Sequence, residues 1–209
     1  MNDAMSIGIH CLWKQQAVSA LDCSPDDNIA DLSCGTGDIS ELIIDKIPYG
    51  KLYCIDPNPS MLAHCKERLN QENIAFVEST AESMILNQDL DKLIVSFGLR
   101  NFSDERRGLE NIFNALKVGG KAVIMEFNPP NASSFANEYA MYLKYVIPCL
   151  GRLIGHNESS YQYLVDSISV QPHPEQRTQQ LADIGFEFIR YTSLTMNTVG
   201  LWEVYRCRE

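Results

Sequence analysis

The sequence predicts an α/β fold: a mostly parallel sheet with helices on both faces, finished by an antiparallel pair of strands. Three observations carry that prediction. Short apolar runs alternate with stretches of helical spacing from Asn28 to Phe127, the pattern of βαβ units. The first run, ending Ile29-Ala30-Asp31-Leu32, passes through the small-residue turn Ser33-Cys34-Gly35-Thr36-Gly37 into a helix that opens at Asp38. Past Gly185, the strand-like runs Phe186 to Leu194 and Val199 to Arg206 are separated only by Thr195 to Thr198, too short a link for a crossover.

Taken in order, the segment before Asp22 reads as a helix with Ile9, Leu12, Trp13 and Ala17 on one face. Its His10 and Trp13 either touch a substrate or pack the helix onto the domain. The glycine turn is followed by a helix over Ile39 to Ile47 and a strand over Lys51 to Ile55 that delivers Asp56. Pro57 and Pro59 set the start of the next helix, Ser60 to Leu69. Ile74 to Val77 is a short strand leading into Ser79-Thr80-Ala81-Glu82, and Lys92 to Phe97 is a continuous apolar strand of the doubly buried kind. Ser103 is positioned to cap a helix from about Asp104 to Leu116, which Gly119-Gly120 closes before a strand from Ala122 to Phe127. Residues 131–172 break the alternation with aromatic and apolar side chains, among them Tyr139, Tyr142, Tyr161 and Tyr163, and read as a cap over the site or as extra core. A helix from about Glu175 to Ile184 precedes the final pair of strands.

At 209 residues the chain is long enough for a full core and reads as one domain, 1–209, with an N-terminal helical segment at 1–22. Its 17 basic and 27 acidic residues leave a net charge of −10, which argues against a nucleic-acid partner held through phosphates. The seven cysteines are odd in number and lack C-x-x-C pairs, so they read as reduced thiols serving as small hydrophobes in a cytoplasmic protein. His156 and His173 have no partners at ligand spacing, and no metal is assigned. No run is apolar for long enough to span a bilayer, so any membrane contact is expected to be peripheral.

In a parallel sheet, ligands lie beyond the carboxyl ends of the strands, where Asp31, Asp56, Thr80, Gly98 to Asn101 and Glu126 to Asn128 converge. Ser40 stands where a dinucleotide fingerprint has its third glycine, and Asp38 at the helix mouth repels a pyrophosphate. Asp31, Asp38 and Asp56 together suit a cation plus a ribose. S-adenosylmethionine has a sulfonium, an ammonium and no phosphate, and it fits that description. Asp56 is expected to accept the ribose hydroxyls or to cap the helix that follows. Asp31 is expected to hold the methionine amine or to order the glycine turn. Glu126 caps its strand or meets a ligand, with neither favoured.

Four stretches resemble the UbiE family, the S-adenosylmethionine-dependent C-methyltransferases of ubiquinone and menaquinone biosynthesis. M-N-D-A-M-S-I-G-I-H-C-L-W-K (Met1 to Lys14) is similar to the first signature with its beginning missing. D-L-S-C-G-T-G-D (Asp31 to Asp38) resembles the cofactor loop, S-F-G-L-R-N (Ser96 to Asn101) the substrate-side segment, and L-K-V-G-G-K-A-V-I-M-E-F-N (Leu116 to Asn128) the second signature. Ser33 stands where such methyltransferases usually have glycine, Thr80 where the family often has Asn or Asp, and Asn128 in place of serine.

The resemblance implies a class I methyltransferase fold, Rossmann-like, with a seven-stranded sheet. It implies S-adenosyl-L-methionine as cofactor, S-adenosyl-L-homocysteine as product, and a polyprenylated quinol as substrate, of the demethylmenaquinol or methoxybenzoquinol type. Cofactor contacts are expected from Asp31, Ser33, Gly35, Thr36, Gly37, Asp56, Pro57, Met61, Thr80, Ala81, Ser96 and Phe97, and substrate contacts from His10, Trp13, Tyr139, Tyr142 and Tyr161. Arg100 and Asn101 are the presumed catalytic pair. An arginine with a pKa above about 12 is a poor literal base, so Arg100 is expected to stabilise a developing phenolate that Asn101 orients. The alternative for Arg100 is a surface arginine on a loop. Expected partners are the lipid-soluble quinol, a peripheral contact at the inner membrane face, and a homodimer or a quinone-biosynthesis complex, with no nucleic acid. Two other functions stay open: methylation of a different small molecule, and a non-catalytic cofactor-binding subunit of the same fold.

Overall fold

In a computed structural model, residues 9–85, 90–130 and 158–207 are described. Helix α1 (Ile9–Leu21) is followed by β1 (Asn28–Leu32), α2 (Asp38–Ile44), β2 (Lys51–Asp56), α3 (Pro59–Arg68), β3 (Ile74–Glu78) and β4 (Leu90–Ser96). A 3-10 turn at Leu99–Asn101 leads to α4 (Glu105–Ala115), β5 (Leu116–Phe127), α5 (Glu158–Ser169), α6 (Pro174–Ile184), β6 (Glu187–Leu194) and β7 (Val199–Tyr205). Tyr139 and Tyr142 lie outside the described residues. Tyr161 falls in α5, but its side chain lies outside what is described.

Among the described residues, seven strands form a sheet in the order β3-β2-β1-β4-β5-β7-β6. Neighbours are parallel from β3 to β5, and β7 runs antiparallel to both β5 and β6. The chain leaves β1 for β2 on one side and returns to β4 on the other, so the switch point lies between β1 and β4.

Period-two alternation splits the core into two layers. Ile29, Cys54, Ile94, Val123 and Met125 face a layer built with Trp13, Ala17 and Leu21 of α1, Ile39 and Ile43 of α2, and Leu164 and Ile168 of α5. Ala30, Leu32, Ile55, Leu93, Val95 and Ile124 face the other, with Leu109 and Ile112 of α4 and Leu181 of α6. Each such aliphatic side chain contributes roughly 1.5–3 kcal/mol by leaving water.

Three boundaries differ from the sequence expectation, each for a local reason. Asp104, not Ser103, caps α4 by accepting from the Arg107 amide at 3.1 Å, while Ser103 Oγ donates to Glu82 Oε1 at 3.0 Å. Asn58 caps α3 by accepting from the Ser60 and Met61 amides at 3.0 and 3.3 Å, a role considered for Asp56. Helix α4 stops at Ala115 because β5 already begins at Leu116, and the Gly119-Gly120 pair sits in a register shift within that strand. Leu12 is 59 % exposed, so the buried face of α1 is His10, Trp13, Lys14, Ala17, Val18 and Leu21 instead. No helix among the described residues is long and apolar enough to cross a membrane.

Candidate active site

A cavity of about 350 Å³ opens beyond the carboxyl ends of β1 and β4, at the switch point. Asp31, Ser33, Cys34, Gly35, Thr36, Asp38 and Ile39 line it from the first strand–turn–helix unit. Ser96, Phe97 and Arg100 line it from the end of β4, Met61 from α3 and Lys14 from α1.

Both loops leave their strands through a left-handed residue, Ser33 (φ 61°) after β1 and Phe97 (φ 56°) after β4. The two loops interlock. A Cβ at Gly98 would sit 2.5 Å from Ser33 Cβ, so the serine side chain fills the space that glycine leaves. Gly37 begins α2 at φ 87°, and a Cβ there would meet Cys65 Sγ at 2.7 Å. Asp56 holds the loop from the neighbouring strand: its carboxylate accepts from the Gly35 amide at 2.9 Å and the Asn58 amide at 2.8 Å. A carboxylate offers about four acceptor directions, and these two bonds occupy two of them.

Asp31 is 1 % exposed and accepts from Ser40 Oγ at 2.6 Å. Burial, only partly opposed by that hydrogen bond, pushes its pKa up to about 7. Asp38 behaves differently. Burial would raise it, but hydrogen bonds from Lys14 and then Arg68 outweigh burial and hold it below the ordinary carboxylate range. Lys14 Nζ donates to Asp38 Oδ2 at 2.6 Å, and Arg68 bridges Asp38 and Glu41. The carboxylate expected to greet a ligand's positive charge is therefore already neutralised by the protein.

Arg100 forms a buried ion pair with Glu126 (2.7 Å), donates to the Phe97 carbonyl at 2.6 Å, and lies 5.6 Å from the centre of the Phe127 ring. Glu126 also accepts from the backbone amides of Arg100 (3.2 Å) and Phe127 (2.9 Å). With so many donors it anchors the arginine and caps its own strand end. Arg100 Nε is buried without a partner among the described residues, a donor in want of an acceptor. Asn101 follows in the 3-10 turn, exposed, and accepts from Tyr163 of α5 at 3.3 Å.

Of the other expected residues, Trp13 and His10 do not line the cavity. Trp13 is buried against Phe97 and Phe127, with ring centres at 6.1 and 6.2 Å, and donates to Thr195 Oγ1 at 2.9 Å. His10 faces a neighbouring groove with Cys11, Glu41 and Arg68. Gly37, Asp56, Pro57, Thr80 and Ala81 also lie outside the cavity lining, at the same rim. Pro57 is exposed, and Thr80 is hydrogen-bonded to Ser83 at 2.8 Å. Ala81 is buried, and its carbonyl accepts from Asn111 of α4 at 2.9 Å.

Sequence reasoning missed Lys14 and the packing behind the glycine turn, where Cys34, Cys54 and Cys65 share one core layer. Hydrogen bonds to the other two thiols, then burial, push Cys34 up, so it stays protonated. Adjacency to Trp13 in one amphipathic helix was the available signal for Lys14.

Residues 1–205 match the model of the ubiE/COQ5 methyltransferase family. The chain belongs to that family. The ubiquinone/menaquinone biosynthesis C-methyltransferase UbiE of Wigglesworthia glossinidia brevipalpis is 34 % identical over 212 residues, covering 99 % of this chain and 85 % of the relative. That of Francisella tularensis subsp. novicida is 35 % identical over 214 residues, with the same two coverages. The fold is shared with a SAM-dependent methyltransferase from Aquifex aeolicus, with TM-score 0.65, 14 % identity and coverage of 92 % of this chain and 89 % of that one. A Haemonchus contortus phosphoethanolamine N-methyltransferase solved with S-adenosyl-L-methionine has TM-score 0.67 at 13 % identity, covering 97 % of this chain and 57 % of that one. This UbiE-family chain is thus an S-adenosylmethionine-dependent methyltransferase. Its own residues fit that donor: a buried acid, a second acid on the next strand, and an open cradle where a Cβ at Gly35 would meet nothing within 4 Å.

Proposed function

We propose that this chain methylates a ring carbon of a polyprenylated quinol, of the demethylmenaquinol or 2-polyprenyl-6-methoxy-benzoquinol type. Arg100 carries the proposal: a buried guanidinium at the cavity wall, held by Glu126, whose Nε still lacks an acceptor. A quinol ring becomes nucleophilic at carbon as the adjacent hydroxyl ionises, so a fixed cation beside that oxygen lowers the barrier. Arg100 stabilises the phenolate, and Asn101 orients it or a bridging water. When bound, S-adenosylmethionine supplies an electrophilic methyl on a sulfonium. Asp31 takes its ammonium, Asp56 its ribose, and Ser33 to Gly37 with Ser96, Phe97 and Met61 enclose it. Pro57, Thr80 and Ala81 serve the adenine side.

Phe97, which lines the cavity, supplies an apolar wall for the quinol ring and is backed by Phe127 and Trp13, with ring centres at 4.5 and 6.1 Å from its own. Of the insertion at 131–172 in this single domain, α5 reaches the same rim, where Tyr163 meets Asn101 at 3.3 Å, and the insertion is assigned the prenyl tail, which implies peripheral contact with the cytoplasmic membrane face. The test is complementation of a bacterial strain lacking its quinone C-methyltransferase, with quinones read by mass spectrometry. Restored methylation by the wild type and none by Arg100→Ala is expected. Wild-type failure on prenylated quinols, or normal turnover by Arg100→Ala, would overturn it.

A further inference from the structure

We propose that Lys14 is the anchor for the donor's carboxylate, making α1 part of the cofactor site. The proposal rests on S-adenosylmethionine as the donor and adds the subsite that selects its amino-acid end. That end is a zwitterion, so a complementary cavity needs a carboxylate for the ammonium and a cation for the carboxylate. Two cations line the cavity. Arg100, held at the β4 end by Glu126 and the Phe97 carbonyl, is the one the proposed function reserves for the quinol oxygen. Lys14 lines the same cavity and reaches Asp38, at the start of the helix that follows the glycine turn.

Its side chain is 11 % exposed and its ammonium touches Asp38 Oδ2 at 2.6 Å. An ammonium has three donors, and among the described residues Asp38 occupies one. Asp38 does not depend on Lys14 alone, because Arg68 pairs with Asp38 Oδ1 and Glu41. Lys14, Arg68, Asp38 and Glu41 form a neutral set. Lys14 can therefore share its charge with an incoming carboxylate while Arg68 keeps Asp38 compensated. Asp38 sets where the ammonium stands.

Calorimetry with S-adenosylmethionine and with its decarboxylated analogue, which keeps sulfonium, ammonium and adenosine, tests this. Wild type is expected to favour the intact donor by about 10- to 100-fold, the size of one charge-assisted contact. Lys14→Gln should lose that preference by weakening only the intact donor, and Lys14→Arg should retain most of it. Equal weakening of both ligands by Lys14→Gln, with normal thermal unfolding, would make Lys14 structural and overturn the inference. So would unchanged affinity for the intact donor. A wild type that bound neither ligand would instead overturn the donor assignment, and this inference with it.

Discussion

Replacing Asp31 with asparagine should stabilise the ligand-free protein at alkaline pH and leave it nearly unchanged in acid. Asp31 is 1 % exposed, and its pKa rises from 3.8 to about 7, chiefly through burial. A raised pKa means the folded state binds the proton more tightly than the unfolded one. The resulting stability is complete below about pH 4 and disappears as pH climbs through 7. A rise from 3.8 to about 7 corresponds to on the order of 4 kcal/mol. Asparagine keeps the oxygen that accepts from Ser40 and has nothing to ionise. Between pH 5.5 and 8.5, wild type should therefore lose roughly 2 kcal/mol relative to Asp31→Asn, or about 4–8 °C in Tm for a chain of this size. Urea titrations of both proteins across that range measure the difference, in which every other titrating group cancels. A difference that stays flat with pH would refute the buried ionisation. The opposite sign would mean that Asp31 is charged and compensated in the absence of ligand.

If Asp31 takes the donor's ammonium, binding near pH 7 should release part of a proton, and the calorimetric heat should vary with buffer ionisation enthalpy. Gly98→Ala should cost about 1–3 kcal/mol by overpacking against Ser33. Adding Ser33→Gly should recover much of it, a coupling that a double-mutant cycle in urea detects. Glu126→Gln leaves Arg100 a weaker, neutral partner. Turnover should fall by more than ten-fold in steady-state assays while calorimetric donor affinity changes little. Asp56→Asn must give up an acceptor now used by Gly35 or Asn58, so donor affinity should fall at least ten-fold by calorimetry.

The strands and their order of use were legible because apolar runs and glycine turns are local signals. Asp31, Gly35 and Asp56 could be placed at one rim because parallel βαβ units leave no other arrangement. What escaped was decided by residues distant in sequence. Asp38 loses its free charge to Lys14 and Arg68, 24 and 30 positions away. Trp13, open at the sequence to substrate contact or packing, is met by Phe97, Phe127 and Thr195 from far along the chain. The cap of α4 moved by one residue because Glu82, across the rim, accepts from Ser103 and from the Asp104 amide. No periodicity reports such meetings, since each depends on two segments arriving at one place.

The insertion of β7 between β5 and β6 bears on how the enzyme is made. When a ribosome reaches residue 199, β5 still presents a bare edge, although both flanking partners of the missing strand have by then been synthesised. A nascent chain at that stage can assemble β1 to β4 and the glycine turn. Its long-range pairing of β5 with residues 199–205 waits until those residues have been made, which makes the sheet slow to complete and its open edge vulnerable to other chains. Chaperone demand should therefore peak in the interval before residues 199–205 emerge.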